Sequence, residues 1–122
     1  MRNARKIALL AMGAAYQRFG AELERQQEVL MAIADLVMEV YAMESALLRS
    51  RRAPAGEAMA AVFLRDAMAR VEVIARGVLA ASSEGDALRT GLAMLRRFAR
   101  YEPVDAVALR RKIAEGVLAR VS

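Results

Sequence analysis

Apolar residues recur along this chain at helical spacing, and no stretch alternates as a strand would. Between Ala21 and Arg51, the positions Val29, Ile33, Leu36, Val40, Met43 and Leu47 follow a 4-3-4-3-4 rhythm. That rhythm is the seam of a helix bundle, and Leu30, Val37, Tyr41 and Leu48 widen it. Upstream, with Asn3 as N-cap, Leu9, Met12, Tyr16, Phe19 and Leu23 form one ridge, and Ile7, Leu10, Ala11 and Ala14 form a second face. A helix apolar on two sides is either buried or awaits a partner. Gly20 interrupts the pattern without a proline, so residues 1–20 and 21–51 read either as one long helix or as two.

Further on, SRRAPAGE (Ser50–Glu57) is a loop with Pro54 and Gly56 as breakers. A third helix is predicted over 57–81, with Phe63, Leu64, Ala67, Val71, Ile74 and Val78 on one face. Arg65, Glu72 and Arg76 lie opposite, where Glu72→Arg76 makes an i,i+4 pair, and Asp66→Arg70 makes another at the flank. Ser83 and Asp86 resemble a capping box for a fourth helix over 86–100, whose stripe is Leu88, Leu92, Leu95 and Ala99 with Phe98 beside it. YEPVD (Tyr101–Asp105) is a turn. Pro103 opens a fifth helix over 103–120, with Val107, Ala114, Val117, Leu118 and Val121 on its apolar side and Ile113 at the margin. The fold expected is all-α: one domain over 1–122, a bundle of four to five helices with antiparallel neighbours.

Composition narrows the chemistry. With 122 residues, 57% of them hydrophobic, the chain supports one core. It has no Cys and no His. Disulfides and thiolate metal sites are therefore excluded, and the commonest general base and metal ligand are missing. A single Asn, three Gln and no Cys fit a thermophile. The net charge of +5 comes mostly from arginine, which suits either an Arg-rich solvated surface or an anionic partner. The opening MRNARKIALLAMGAA has no secretory pattern and ends at Tyr16-Gln17-Arg18 before it could span a bilayer, so the expected compartment is the cytoplasm.

Three carboxylates stand in ADLVMEVYAMESALLRS (Ala34–Ser50). Projected around a regular helix, Asp35 and Glu39 fall close on either side of Glu28, and Glu24 falls just beyond Asp35. The four make one narrow solvated stripe. A carboxylate-bridged di-iron site would also need Glu-x-x-His pairs, which a chain without His cannot supply. Glu44 falls on nearly the opposite side of the helix, among Leu30, Ile33 and Val37, where an unpaired carboxylate is costly. The expected partner is Arg96 or Arg100 of the fourth helix, reaching in from the margin of its stripe, with Tyr101 as a neighbour.

Basic runs occur at Arg49–Arg52, Leu95–Tyr101 and Leu109–Lys112, but the aromatics mostly fall on apolar ridges, which argues against nucleic acid. No glycine pattern matches a phosphate loop. Most methionines read as core filling. Met31 and Met38, beside the acidic stripe, fit a hydrophobic docking surface equally well.

Two stretches, EVLMAIADLVMEVYAMESALLRSRR (Glu28–Arg52) and EGDALRTGLAMLRRFARYEPVD (Glu84–Asp105), resemble the C-terminal helical extension of very-long-chain-type acyl-CoA dehydrogenases, especially bacterial ones. The resemblance covers about Arg18 to Glu115 and is most specific at Ala34–Arg49 and Arg100–Pro103. It implies that flavin, acyl chain and catalytic glutamate belong to an upstream core. No catalytic, cofactor-binding or metal residue transfers to this chain, Glu44 included, and FAD is expected only in the parent enzyme. The implied role is domain and subunit packing. Its partners would be the rest of such an enzyme or a second copy in a homo-oligomer. A basic, apolar first helix would be the remnant of a segment peripheral to the inner membrane. The expected interaction surface is Leu9, Met12, Tyr16 and Phe19. Both a domain cut from a longer polypeptide and a small protein encoded alone fit this sequence. A basic module for anionic lipid or nucleic acid is the alternative reading.

Overall fold

A computed structural model of the chain describes residues 2–52, 56–100, 111 and 113–118. Four helices account for most of them: α1 (Arg2–Phe19), α2 (Gln27–Ser50), α3 (Gly56–Ser82) and α4 (Gly85–Phe98). Residues 113–118 are also helical, within the expected fifth helix, and there is no strand among the described residues. The YEPVD turn, the helix start at Pro103 and the loop tip at 53–55 lie outside the described residues.

Gly20 separates the first two helices. Its φ is +54°, a left-handed conformation that costs glycine little and a residue with a Cβ much more. The chain then winds through a tight 3-10 turn, Gly20–Arg25, and Gln26 N–H donates to the Leu23 carbonyl at 2.9 Å. α2 therefore begins at Gln27, and AELER, helix-favouring by composition, is spent on reversing the chain. At the next turn, a Cβ on Gly56 would collide with the Ser50 backbone, so the start of α3 needs glycine there.

Successive helices run antiparallel: Arg5 meets Glu44, Glu39 meets Arg70, and Gly91 faces Leu79. α3 is the centre. It touches α1, α2 and α4, whereas α4, among the described helices, touches α1 and α3. Its buried stripe is Leu64, Ala67, Met68, Val71, Ala75, Val78 and Leu79, at the i, i+3, i+4 spacing of one helix face. Phe63 and Ile74, expected within that stripe, are only half-buried beside it.

α1 buries its small-residue face (Ala4, Ile7, Ala8, Ala11, Ala15), and the alanines let it approach α3 and α2 closely. α2 buries Val29, Leu36 and Met43 at seven-residue steps, with Ile33, Val40 and Leu47 packed beside them. The expected widening of that seam does not occur. Leu30, Val37, Tyr41 and Leu48 point outward, because α1 and α3 together cover only one side of α2 and α4 never reaches it.

α4 buries Gly91 and Leu95. The Lys6 ammonium sits 5.6 Å from the Phe98 ring centroid and ties the end of α4 to the start of α1. The expected capping box is not formed. Ser83 N–H still donates to Leu79 O at 2.9 Å, and the extended Glu84 takes the N-cap position without a side-chain hydrogen bond. Asp86 bonds Arg89 instead, at 3.4 Å. No helix among the described residues is long and apolar enough to cross a membrane.

The packing distinguishes two α2 positions that are both apolar. Leu36→Ala should cost about 2–5 kcal/mol in urea unfolding, the range for a buried leucine. Met31→Ala, on the outer side, should shift the stability of the dilute, monomeric chain by less than about 0.5 kcal/mol.

Candidate docking surface and its ion pairs

The acids of α2 have three different fates. Glu28 and Asp35 are exposed. Glu39, which helical geometry puts on the solvated stripe, is gripped by Arg70 of α3. Arg70 Nε donates to Oε1 at 2.8 Å and Nη2 to Oε2 at 3.1 Å, the two-pronged geometry that suits guanidinium and carboxylate. This bond, with the negative charges of Glu39 and Asp66, raises the Arg70 pKa against the opposing effect of desolvation. The Arg70 guanidinium also lies 6.0 Å from the Phe63 ring centroid. The Asp66→Arg70 pair expected within α3 thus gives way to a tie between helices, and Asp66 accepts from Arg65 at 3.1 Å. The Glu72–Arg76 pair forms as its spacing suggests, at 2.7 Å.

Glu44 bonds Arg5 of α1, with Nε donating to Oε1 at 2.6 Å, and not Arg96 or Arg100. The reason is topological: α4 packs on the far side of α3 and makes no contact with α2. Arg96 and Arg100 are exposed and take part in no ion pair among the described residues. Tyr101 lies outside the described residues. The pair with Arg5 is at the surface, the Glu44 side chain being 35% exposed, so it fixes the α1–α2 register without a buried charge. A signal for both inter-helix pairs exists in the sequence. Arg5 and Glu44 stand 15 and 19 residues from the near ends of the Gly20–Arg25 turn, and Glu39 and Arg70 stand 11 and 14 residues from Ser50 and Gly56, so each pair lies within about one helical turn of a mirror position.

The Arg5–Glu44 pair lies in the outer groove of the α1–α2 hairpin. Arg5 heads a ridge on α1 with Leu9 (67% exposed), Met12 and Tyr16 (69%), while Phe19 at its end is half-buried against the core. On α2 the outward stripe is Leu30, Met31 (68%), Val37, Met38 (67%), Tyr41 (72%) and Leu48. Around the α2 C-terminus, a groove of about 550 Å³ runs between Tyr41, Ala42, Ser45 and Ala46 and the start of α3 at Met59 and Phe63. A smaller cleft, about 230 Å³, includes Gln17, Arg18, Ser83 and the buried Ser82 hydroxyl, which has no hydrogen-bond partner among the described residues. No cluster of metal-ligand side chains occurs among those residues. Large apolar side chains with a few surface ion pairs are suited to contact with another protein surface, since little of them is committed to the chain's own core.

Comparison with known proteins finds a matching family model, a curated relative and solved structures. The family model described as acyl-CoA dehydrogenase, C-terminal domain, matches residues 3–97. A probable acyl-CoA dehydrogenase of Bacillus subtilis (strain 168) is 40% identical over 126 residues, covering 96% of this chain and 21% of that protein. The crystal structure of an acyl-CoA dehydrogenase complexed with FAD from Bacillus anthracis superposes with a TM-score of 0.91 at 36% identity, over 98% of this chain and 22% of that one. The chain spans about a fifth of the length of these relatives.

Two double-mutant cycles test the charge assignments. Arg5/Glu44 and Glu39/Arg70, each neutralised to Gln, should show coupling of about 0.2–1 kcal/mol in denaturant melts, weakening with salt. Arg96/Glu44 should show none.

Proposed function

The chain belongs to the acyl-CoA dehydrogenase C-terminal domain family, and from that premise we propose that it is a non-catalytic packing domain of a flavin-dependent fatty-acyl-CoA dehydrogenase. Flavin and acyl-CoA, in this reading, are held by the parts of the enzyme that correspond to the other four-fifths of the relatives. The domain's work is assembly in the cytoplasm, against the rest of the enzyme and in a homo-oligomer. Leu9, Met12 and Tyr16, with Phe19 at the margin, are its contact with the flavin-bearing part.

The observation that carries this reading is the outward apolar ridge of α1. Burying a large apolar side chain contributes about 1.5–3 kcal/mol, and on this ridge much of that burial is left for a partner to supply. Arg5 and Glu44 beside it neutralise each other. A basic module for lipid or nucleic acid would instead need its cations grouped on the apolar face. Here Arg5 and Arg70 are both spent on carboxylates.

Purified and supplied with FAD, this chain should stay colourless after desalting and should reduce no dye in the presence of long-chain acyl-CoA. A yellow preparation with acyl-CoA-dependent dye reduction would overturn the assignment.

A further inference from the structure

The N-terminus of α4 has no side chain capping it. Glu84 holds the N-cap position in extended backbone, and its carboxylate makes no cap hydrogen bond. Gly85 follows with φ +59°, and Asp86 and Ala87 continue as helix. A left-handed residue followed by a right-handed one turns successive backbone N–H groups toward a common point, a concavity that suits anions. The first N–H groups of a helix also lack carbonyl partners and carry the positive end of its macrodipole. Asp86 does not fill this place. Its carboxylate accepts from Arg89 and is 97% exposed.

A second observation lies beside this helix end. The cleft of about 230 Å³ includes Glu84 and Ala87, Ser82 and Ser83 just before them, and Gln17 and Arg18 at the end of α1. Ser82 is only 5% exposed, and its hydroxyl has no hydrogen-bond partner among the described residues. A serine within a helix commonly bonds a carbonyl one turn back. Ser82 does not, so a buried donor is left at the cleft, which is costly. Arg18, across from it on α1, is exposed and forms no ion pair among the described residues. Backbone N–H groups, a hydroxyl and a guanidinium thus come to one cleft from three helices.

Size and charge restrict what fits. A water occupies about 30 Å³ in the liquid, so the cleft takes a group of a few heavy atoms. Glu84 stands exposed at its edge. Beside that carboxylate, one added negative charge is tolerated better than two.

We propose that this cleft binds a small, singly charged oxyanion, the carboxylate or phosphodiester group of a ligand. Its donors are the N–H groups at the start of α4, the Ser82 hydroxyl and the Arg18 guanidinium. The site is separate from the α1 ridge and does not depend on the packing role.

Amide-resolved NMR of the full chain tests it, with sodium acetate or sodium dimethyl phosphate titrated against sodium chloride at equal ionic strength. The Gly85, Asp86 and Ala87 amides should shift and saturate. Saturation by either anion supports the site, and the tighter of the two identifies the group. Arg18→Gln and Ser82→Ala should each weaken binding about tenfold, as expected for one hydrogen bond to a charged group. Glu84→Gln should tighten it about twofold. Ser82→Ala removes only an unpaired hydroxyl, so its melting temperature without anion should be unchanged or higher. Arg18 is exposed, so Arg18→Gln keeps the fold and tests the site independently. Amide shifts no larger than those in chloride would overturn the proposal. Equal affinity in the wild type, Arg18→Gln and Ser82→Ala would also overturn it, because an ordinary helix end would then suffice.

Discussion

Three helices share the surface of α3, and burial of its stripe from Leu64 to Leu79 determines where each of them can lie. α1 and α2 cover it from one side as an antiparallel hairpin, and α4 closes the side left between α3 and α1. The apolar burial is large and non-directional, so direction has to come from elsewhere. It comes from the two turns and from two ion pairs, Arg5–Glu44 and Glu39–Arg70, that tie neighbouring helices at set heights. Each pair is worth little by itself. Their effect is on register, because a slip by one turn would separate both pairs.

The same arrangement leaves a consequence at the surface. Three helices grouped around α3 leave one side of α2 uncovered among the described residues, so a helix that is apolar over more than half its circumference keeps an outward stripe. Among the described residues the stripe is not covered.

Much of this is legible in the chain. Helical spacing specifies the all-α class, and the 4-3-4 seam of α2 specifies its buried positions, because a bundle helix buries one stripe whatever its neighbours are. Met31 and Met38 are ambiguous for the opposite reason: composition shows that they are apolar and says nothing of which side the neighbours take. Glu44 visibly needs a cation, but the helical wheel does not say from which helix. Arg96 and Arg100 of α4 look suitable only if every helix pair is treated as neighbours, and α4 does not reach α2. Reflecting positions across each turn comes within about one helical turn of Arg5, and of Arg70 for Glu39, a carboxylate that the wheel alone places in solvent. Gly20 cannot be resolved from sequence, since AELERQQ favours helix and only the left-handed backbone at Gly20 decides against continuity.

If the outer face of α2 is covered in the native assembly, its methionines should be chemically silent there. Peroxide oxidises exposed methionine to the sulfoxide and spares buried methionine. Met43 and Met68 are buried in the core, Met59 is exposed on α3, and Met31 and Met38 lie on the stripe. Peptide mapping of oxidation rates across a dilution series is then the direct measurement. At high concentration Met31 and Met38 should react as slowly as Met43 and Met68, and on dilution they should become as reactive as Met59. Oxidation of Met31 and Met38 at the rate of Met59 at every concentration would contradict the account.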